Sequence, residues 1–312
     1  MIRPSNEEII GRFLNHYRAS KQSVNVRKSS LRYFFGEKYF HYEGHAFDIN
    51  KRDLVDYFDY LNHKEDISLK TKMLRWAMIK SFLNFAMEYY DDFFVRIPKN
   101  TVKWKRIHKD PNSNKNTVLT IEEVKKILDY LKLHNYQYYL IFRILAETGM
   151  RKGGLLNINC DKVNVEKRFI ETQEKSGKVI YYTSKELAKM LEIYLKERKR
   201  KNTDSNALFI SMQLKRYHQR AFNKYLNGQV AYGKVVYKGI LQKVGINKHV
   251  TCHTFRRTLN TLRKVMGCSN EDRKILLNHK VRDVNVESYL KLNYMQYIEL
   301  FDNWNPFQDV QL

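Results

Sequence analysis

The chain has little of what marks an exported, disulfide-stapled or membrane protein. Its 312 residues include three cysteines, four prolines and twelve glycines. Cys160, Cys252 and Cys268 are an odd set without Cys-x-x-Cys spacing, which argues against a disulfide framework and against a zinc site. Reduced, buried thiols are expected. No stretch approaches the roughly 20 uninterrupted apolar residues that a membrane helix needs. The most apolar segment, 138–146, is broken by Arg143. At the start of the chain, MIRPSNEEII puts two acids where a secretory signal would carry its apolar core, so a cytoplasmic protein is expected. There is no internal repeat and no low-complexity tract.

Acidic residues are also scarce relative to basic ones. The chain has 33 Asp and Glu against 57 Lys and Arg, a formal charge of +24. Such a balance fits a polyanionic partner better than a small-molecule substrate, although a lysine-rich surface serves solubility too. The excess is not confined to a tail: residues 1–116 carry 22 basic and 14 acidic residues, and the remainder 35 and 19. Hydrophobic residues at 43% are enough for apolar cores, and the length suits two domains.

Apolar spacing predicts helices over residues 5–20, 49–62 and 69–90, so the first third is read as helical. Between Pro98 and Thr117 the pattern stops. Lys99, Lys103, Lys105, Arg106, Lys109 and Lys115 sit there among Asn, Ser and Pro, as in an exposed basic connector. Thr120 and Glu123 have capping-box spacing ahead of a periodic run to Leu133, and a second helix, 137–148, should stop at Gly149. Alternating apolar residues on either side of Lys175-Ser176-Gly177-Lys178 predict two strands and a tight turn. Helices are expected to resume from Thr183, with Glu186 as capping partner, and to continue with loops to the end.

Five short segments in the second half resemble the boxes of the tyrosine recombinases, the phage integrase family. Glu147-Thr148-Gly149-Met150-Arg151-Lys152-Gly153-Gly154 is similar to the first-arginine box, and the turn with Lys175 to the catalytic-lysine hairpin. His253-Thr254-Phe255-Arg256 resembles the H-x-x-R box. Leu276-Leu277-Asn278-His279, followed by Tyr289, resembles the histidine and nucleophile boxes. Their order and spread over about 140 residues carry the resemblance; the first third matches the family's core-binding domain only in its helical pattern.

The resemblance implies a mainly α fold with a small β-sheet. A helical core-binding domain (1–97), a basic linker (98–117) and a catalytic domain (118–312) of the DNA breaking-rejoining fold, with a C-terminal oligomerisation segment, are expected. It implies a DNA recombinase acting through a 3′-phosphotyrosyl intermediate, without cofactor or metal, on double-stranded DNA, as a tetramer at the synapse. Arg151 and Arg256 would hold the non-bridging phosphate oxygens, because a guanidinium forms planar paired hydrogen bonds and stays charged near neutral pH. Lys175 would protonate the leaving 5′ oxygen, with Lys178 three residues on as the other turn lysine. His253 would exchange the tyrosine proton and His279 donate to a phosphate oxygen. Tyr289 would be the nucleophile, with Tyr294 and Tyr297 as further candidates. Lys103, Lys105, Arg106, Lys152 and Arg257 are expected DNA contacts.

The sequence departs from the family pattern in three ways. Gly154 stands where an acid that supports the family's active site usually follows the first arginine by three residues, so that supporting contact must come from elsewhere or be absent. Arg257 stands where histidine is common and adds positive charge beside His253. Tyr289 lies ten positions after His279, one more than usual. Two other readings remain open: a type IB topoisomerase-like relaxing enzyme with the same chemistry, and a non-catalytic DNA-binding protein of the same fold.

Overall fold

In the computed structural model the chain divides into two compact units, Met1–Pro111 and Asn112–Leu312. The residues described are 3–17, 21–98, 104, 117–175, 177–218, 221–231, 234–279 and 292–308. Tyr289, Lys103, Lys105, Arg106 and nearly all of the expected linker lie outside them.

The first unit is helical: α1 (Asn6–His16), α2 (Lys21–Phe35), α3 (Lys51–His63) and α4 (Leu69–Tyr89). Capping boxes at Ser5–Glu8 and Asn50–Asp53 start α1 and α3 by satisfying amides that no helix turn can reach. The α2 helix has no counterpart in the sequence reading, because its first turns hold only Val24 and Val26 among polar residues. Its larger apolar residues gather at the end, where Leu31 and Phe34 are buried. The core is aromatic: Phe13 meets Phe82 edge-on at 5.5 Å, and Phe34 meets Tyr57 at 4.9 Å. Trp104 corrects the expectation of a wholly exposed connector. It is half-buried, its ring 4.3 Å from that of Phe58, because an indole gains more by docking on an apolar face than by staying in water.

The second unit opens with α5 (Ile121–His134) and α6 (Tyr136–Thr148). The short α7 (Lys152–Asn157) then leads to an antiparallel sheet of β1 (Val163–Asn164), β2 (Phe169–Glu174) and β3 (Gly177–Tyr182) in that order. Next come α8 (Lys185–Lys199), α9 (Ala221–Asn227), β4 (Gln229–Ala231), β5 (Lys234–Tyr237) and α10 (Ile240–Lys243). The chain continues through α11 (Cys252–Val265), α12 (Asn270–Leu276) and α13 (Tyr294–Asn303). The β4–β5 hairpin, an antiparallel pair with a register shift at Gln229/Val230, falls where only helices and loops were expected. Its strands are too short to show an alternation in the sequence.

The α6 helix is the centre of this unit, and every residue from Tyr139 to Thr148 is buried. Burying Arg143 and Glu147 requires that they pair: Arg143 Nε donates to Glu147 at 2.8 Å, Nη1 to the Tyr139 hydroxyl and Nη2 to Glu186. Glu186 therefore holds Arg143 and is not the capping partner of α8. The cap is Ser184, one residue later than expected, whose hydroxyl accepts from the Leu187 amide, while Thr183 donates to the Arg168 carbonyl. At the C-terminal end, α13 packs on its own unit. Phe301 is buried, Tyr297 stacks on Tyr182 at 5.4 Å, and Arg168 pairs with Asp302. Among the described residues no helix is long and apolar enough to cross a membrane. Cys160, Cys252 and Cys268 are free thiols, the first half-buried and the other two buried.

Candidate active site

Three breaks in regular structure bring the candidate residues toward one another. Gly149 ends α6 in the left-handed conformation, φ +63°, which turns the chain sharply and delivers Arg151 two residues later. Asn278, at φ +49°, does the same after α12 and presents His279, whose amide is held by the Lys274 carbonyl at 2.9 Å. The Asn278 side chain donates to the Ile180 carbonyl, fixing this corner against β3. The third is the start of α11, where Thr251 and Thr254 form a reciprocal cap and place His253 and Arg256 in the first two turns.

Arg256 is buried and anchored from both sides. Its Nη1 donates to the Gly149 carbonyl at 2.7 Å and its Nη2 to the Leu277 carbonyl at 2.5 Å. Those bonds use two of five N–H donors and leave others for a ligand. Arg151 is half-exposed, and its guanidinium pairs with Glu174, the last residue of β2. Glu174 was missed in the sequence, although a signal for it exists. Alternation along β2 turns Ile170, Thr172 and Glu174 to the buried face, and a carboxylate there requires a cation. The same carboxylate accepts from the Arg151 amide at 3.3 Å and from the Tyr181 hydroxyl at 2.8 Å. Tyr181 also lies in the field of the Arg256 guanidinium. Burial, and then the Glu174 charge, push the Tyr181 phenol up to about 12, so it remains a proton donor.

The two histidines lie in the field of these cations. His253 is depressed below the usual imidazole value first by burial, then by the charges of Arg257, Arg256 and Arg151. His279 is depressed by burial and by Arg256 and Arg151, with Glu174 opposing. Both imidazoles are therefore neutral near pH 7, able to donate from one ring nitrogen and accept at the other. The Arg257 guanidinium reaches the Thr254 hydroxyl at 3.3 Å. In the β2–β3 turn, Lys178 is paired with Glu171 at 2.7 Å, whereas Lys175 is exposed at the tip, adjacent in sequence to Glu174. Lys152 stands in the first turn of α7. Among the described residues no group of three or more His, Cys, Asp or Glu side chains could hold a metal ion.

The sequence model of the phage integrase family matches residues 117–294, more than half of the chain. The chain belongs to the phage integrase family. Curated relatives include the tyrosine recombinase XerC of Caldanaerobacter subterraneus subsp. tengcongensis, 23% identical over 254 residues, covering 74% of this chain and 65% of that one. The match to XerC of Chlamydia pneumoniae covers 62% of the relative's length, so the chain spans under two thirds of both. XerD of Staphylococcus saprophyticus is 24% identical, with 83% of each chain covered. Among solved structures, XerH bound to a palindromic difH substrate after cleavage has a TM-score of 0.65 at 17% identity, covering 89% of this chain and 78% of that one. The Tn1549 transposon integrase in complex with a circular intermediate DNA scores 0.64 at 14% identity, covering 95% and 98%. The fold is that of these integrase-family proteins: mainly α, with a small three-stranded sheet and a two-stranded hairpin in the second unit.

Proposed function

We propose that the chain is a site-specific DNA recombinase that cuts and rejoins duplex DNA through a 3′-phosphotyrosyl intermediate. The observation that carries the reading is the convergence of Arg151, of His253 and Arg256 on α11, and of His279, four residues from three separate segments of a family member. Cations and neutral imidazoles grouped in this way suit a phosphodiester whose non-bridging oxygens gain charge during attack.

In the reaction, the Tyr289 oxygen attacks the scissile phosphorus and the bond to the 5′ oxygen breaks. Arg151 and Arg256 hold the non-bridging oxygens, joined by a hydrogen bond from His279. His253 takes the phenol proton and Lys175 supplies one to the departing 5′ oxygen. A 5′-hydroxyl from a second duplex then attacks the phosphotyrosine and reverses each step, so the bond energy stays in the protein–DNA link. Lys103, Lys105, Arg106, Lys152 and Arg257 contact phosphates, and the helical domain over 1–97 grips the duplex from its own side. Two DNA sites are bridged by a tetramer, in the cytoplasm.

The test is covalent capture. Nicked suicide duplexes from the protein's genomic neighbourhood should yield a denaturant-resistant adduct, and peptide mapping should find the nucleotide on Tyr289. Label on Tyr294 or Tyr297 would refute the nucleophile assignment. Salt-sensitive DNA binding without any adduct would make the chain a binding protein, and efficient relaxation of supercoiled plasmid without strand exchange would make it a relaxing enzyme.

A further inference from the structure

We infer that Glu174 is the positioning residue for Arg151, and that it acts from the space left empty by Gly154. The inference rests on the recombinase reading, and names the group that holds Arg151 ready for the phosphate.

A Cβ built on Gly154 would lie 2.9 Å from Glu174 Oε1, closer than such atoms approach, and a tight 3.1 Å from its Cγ, so the carboxylate would have to move. A side chain at 154 and the present Glu174 rotamer therefore exclude each other. The backbone holds this close approach in place, because the Thr172 hydroxyl donates to the Gly154 carbonyl at 2.7 Å and the Asn157 amide group to the Gln173 carbonyl at 2.9 Å. The α7 helix is thus bound to β2 along the side where Gly154 faces Glu174.

Into this space the sheet inserts one carboxylate, its side chain only 1% exposed. It pairs with the Arg151 guanidinium, accepts from the Arg151 amide at 3.3 Å and accepts from the Tyr181 hydroxyl at 2.8 Å. A buried carboxylate with three donors has no freedom to turn, so it fixes both the backbone and the head group of Arg151. Arg256 is held separately, by the Gly149 and Leu277 carbonyls. The acid that the sequence lacks after Arg151 is thus delivered by the neighbouring strand, one residue before Lys175. Glu174 touches no reacting atom in this scheme; it acts through Arg151.

The decisive experiment is a swap. Four proteins are compared on the suicide duplex that the wild type cleaves: wild type, E174A, G154D and the double variant E174A/G154D. Cleavage at saturating protein and DNA affinity are measured separately, with a melting curve for each. E174A should slow cleavage by about a hundredfold, the scale of a small misplacement of catalytic groups, while DNA affinity stays near wild type. G154D alone should also be slow, because its side chain collides with Glu174. The double variant should cleave faster than either single variant, since the acid now reaches Arg151 from α7, whereas E174A/G154N, which restores volume without charge, should not.

If E174A does not fold, E174Q takes its place; it keeps the shape and loses the charge. Wild-type cleavage with an unimpaired E174A or E174Q, or a double variant no better than its parents, would overturn the inference and leave the recombinase reading intact. A wild type that forms no adduct would remove that reading, and this inference with it.

Discussion

The Arg256 guanidinium donates at 2.7 Å to the carbonyl of Gly149, the residue that ends α6 in a left-handed turn. The helix stop and the second arginine are one piece of construction. A Cβ at 149 would meet Leu277 Cδ2 at 2.7 Å and Leu259 Cδ2 at 3.1 Å, besides occupying a disfavoured backbone region. Gly149→Ala should cost about 2 to 4 kcal/mol of stability, from the left-handed penalty and overpacking together. Urea unfolding measures the loss, and DNA cleavage should fall further than stability predicts because Arg256 shifts with its acceptor.

Replacing Arg256 by lysine tests the guanidinium itself. An ammonium keeps the charge, but it cannot donate to the Gly149 and Leu277 carbonyls while presenting paired donors to a phosphate. Cleavage by Arg256→Lys should drop roughly a hundredfold to a thousandfold, the effect of losing one preorganised oxyanion donor. Single-turnover kinetics at saturating DNA separate this from weaker binding.

The histidines predict a pH dependence with a definite sign. Burial and the neighbouring guanidiniums hold His253 and His279 below their unfolded values, near 6.5. Between the folded and unfolded values the unfolded chain binds more protons, so their contribution is complete above about pH 6.5 and is lost as the pH falls through the folded values. Denaturation midpoints should decline on acidification below about pH 6.5, and less so in His253→Asn/His279→Asn. Imidazole NMR titrations of the free protein should give midpoints below the ordinary value; a midpoint above it would sink the prediction.

Arg263 presents the opposite situation to Arg143. It is fully buried in α11, and its Nε donates to the Trp304 carbonyl at 3.0 Å, but among the described residues neither terminal nitrogen has a partner. Burial pushes the guanidinium down to about 10. A buried cation without a counter-charge costs stability, so Arg263→Met should stabilise the protein by about 1 to 4 kcal/mol. Differential scanning calorimetry should show a rise of about 2 to 4 °C per kcal/mol; a lower melting temperature would mean that solution supplies those nitrogens with partners.

Much of this protein is legible in its residue order. The helix stop at Gly149, the capping box at Thr120 and Glu123 and the hairpin around Lys175 are all local, written in residues a few positions apart. The family follows from five such segments in the right order. The α2 helix and the β4–β5 hairpin were not legible, because α2 begins with largely polar turns and the two strands are too short to show a period.

What only tertiary structure decided is who stands beside whom. Gly154 reads in sequence as a missing acid; the folded chain shows that it is the space Glu174 occupies, contributed by a strand 20 positions away. Thr183 and Glu186 read as a cap, but buried Arg143 claims Glu186, and Ser184 takes the helix end. Local propensity is set by backbone dihedrals and nearest neighbours, so it is visible in one dimension. Charge pairing in a low-dielectric interior is set by distance in three, and no spacing along the chain encodes it.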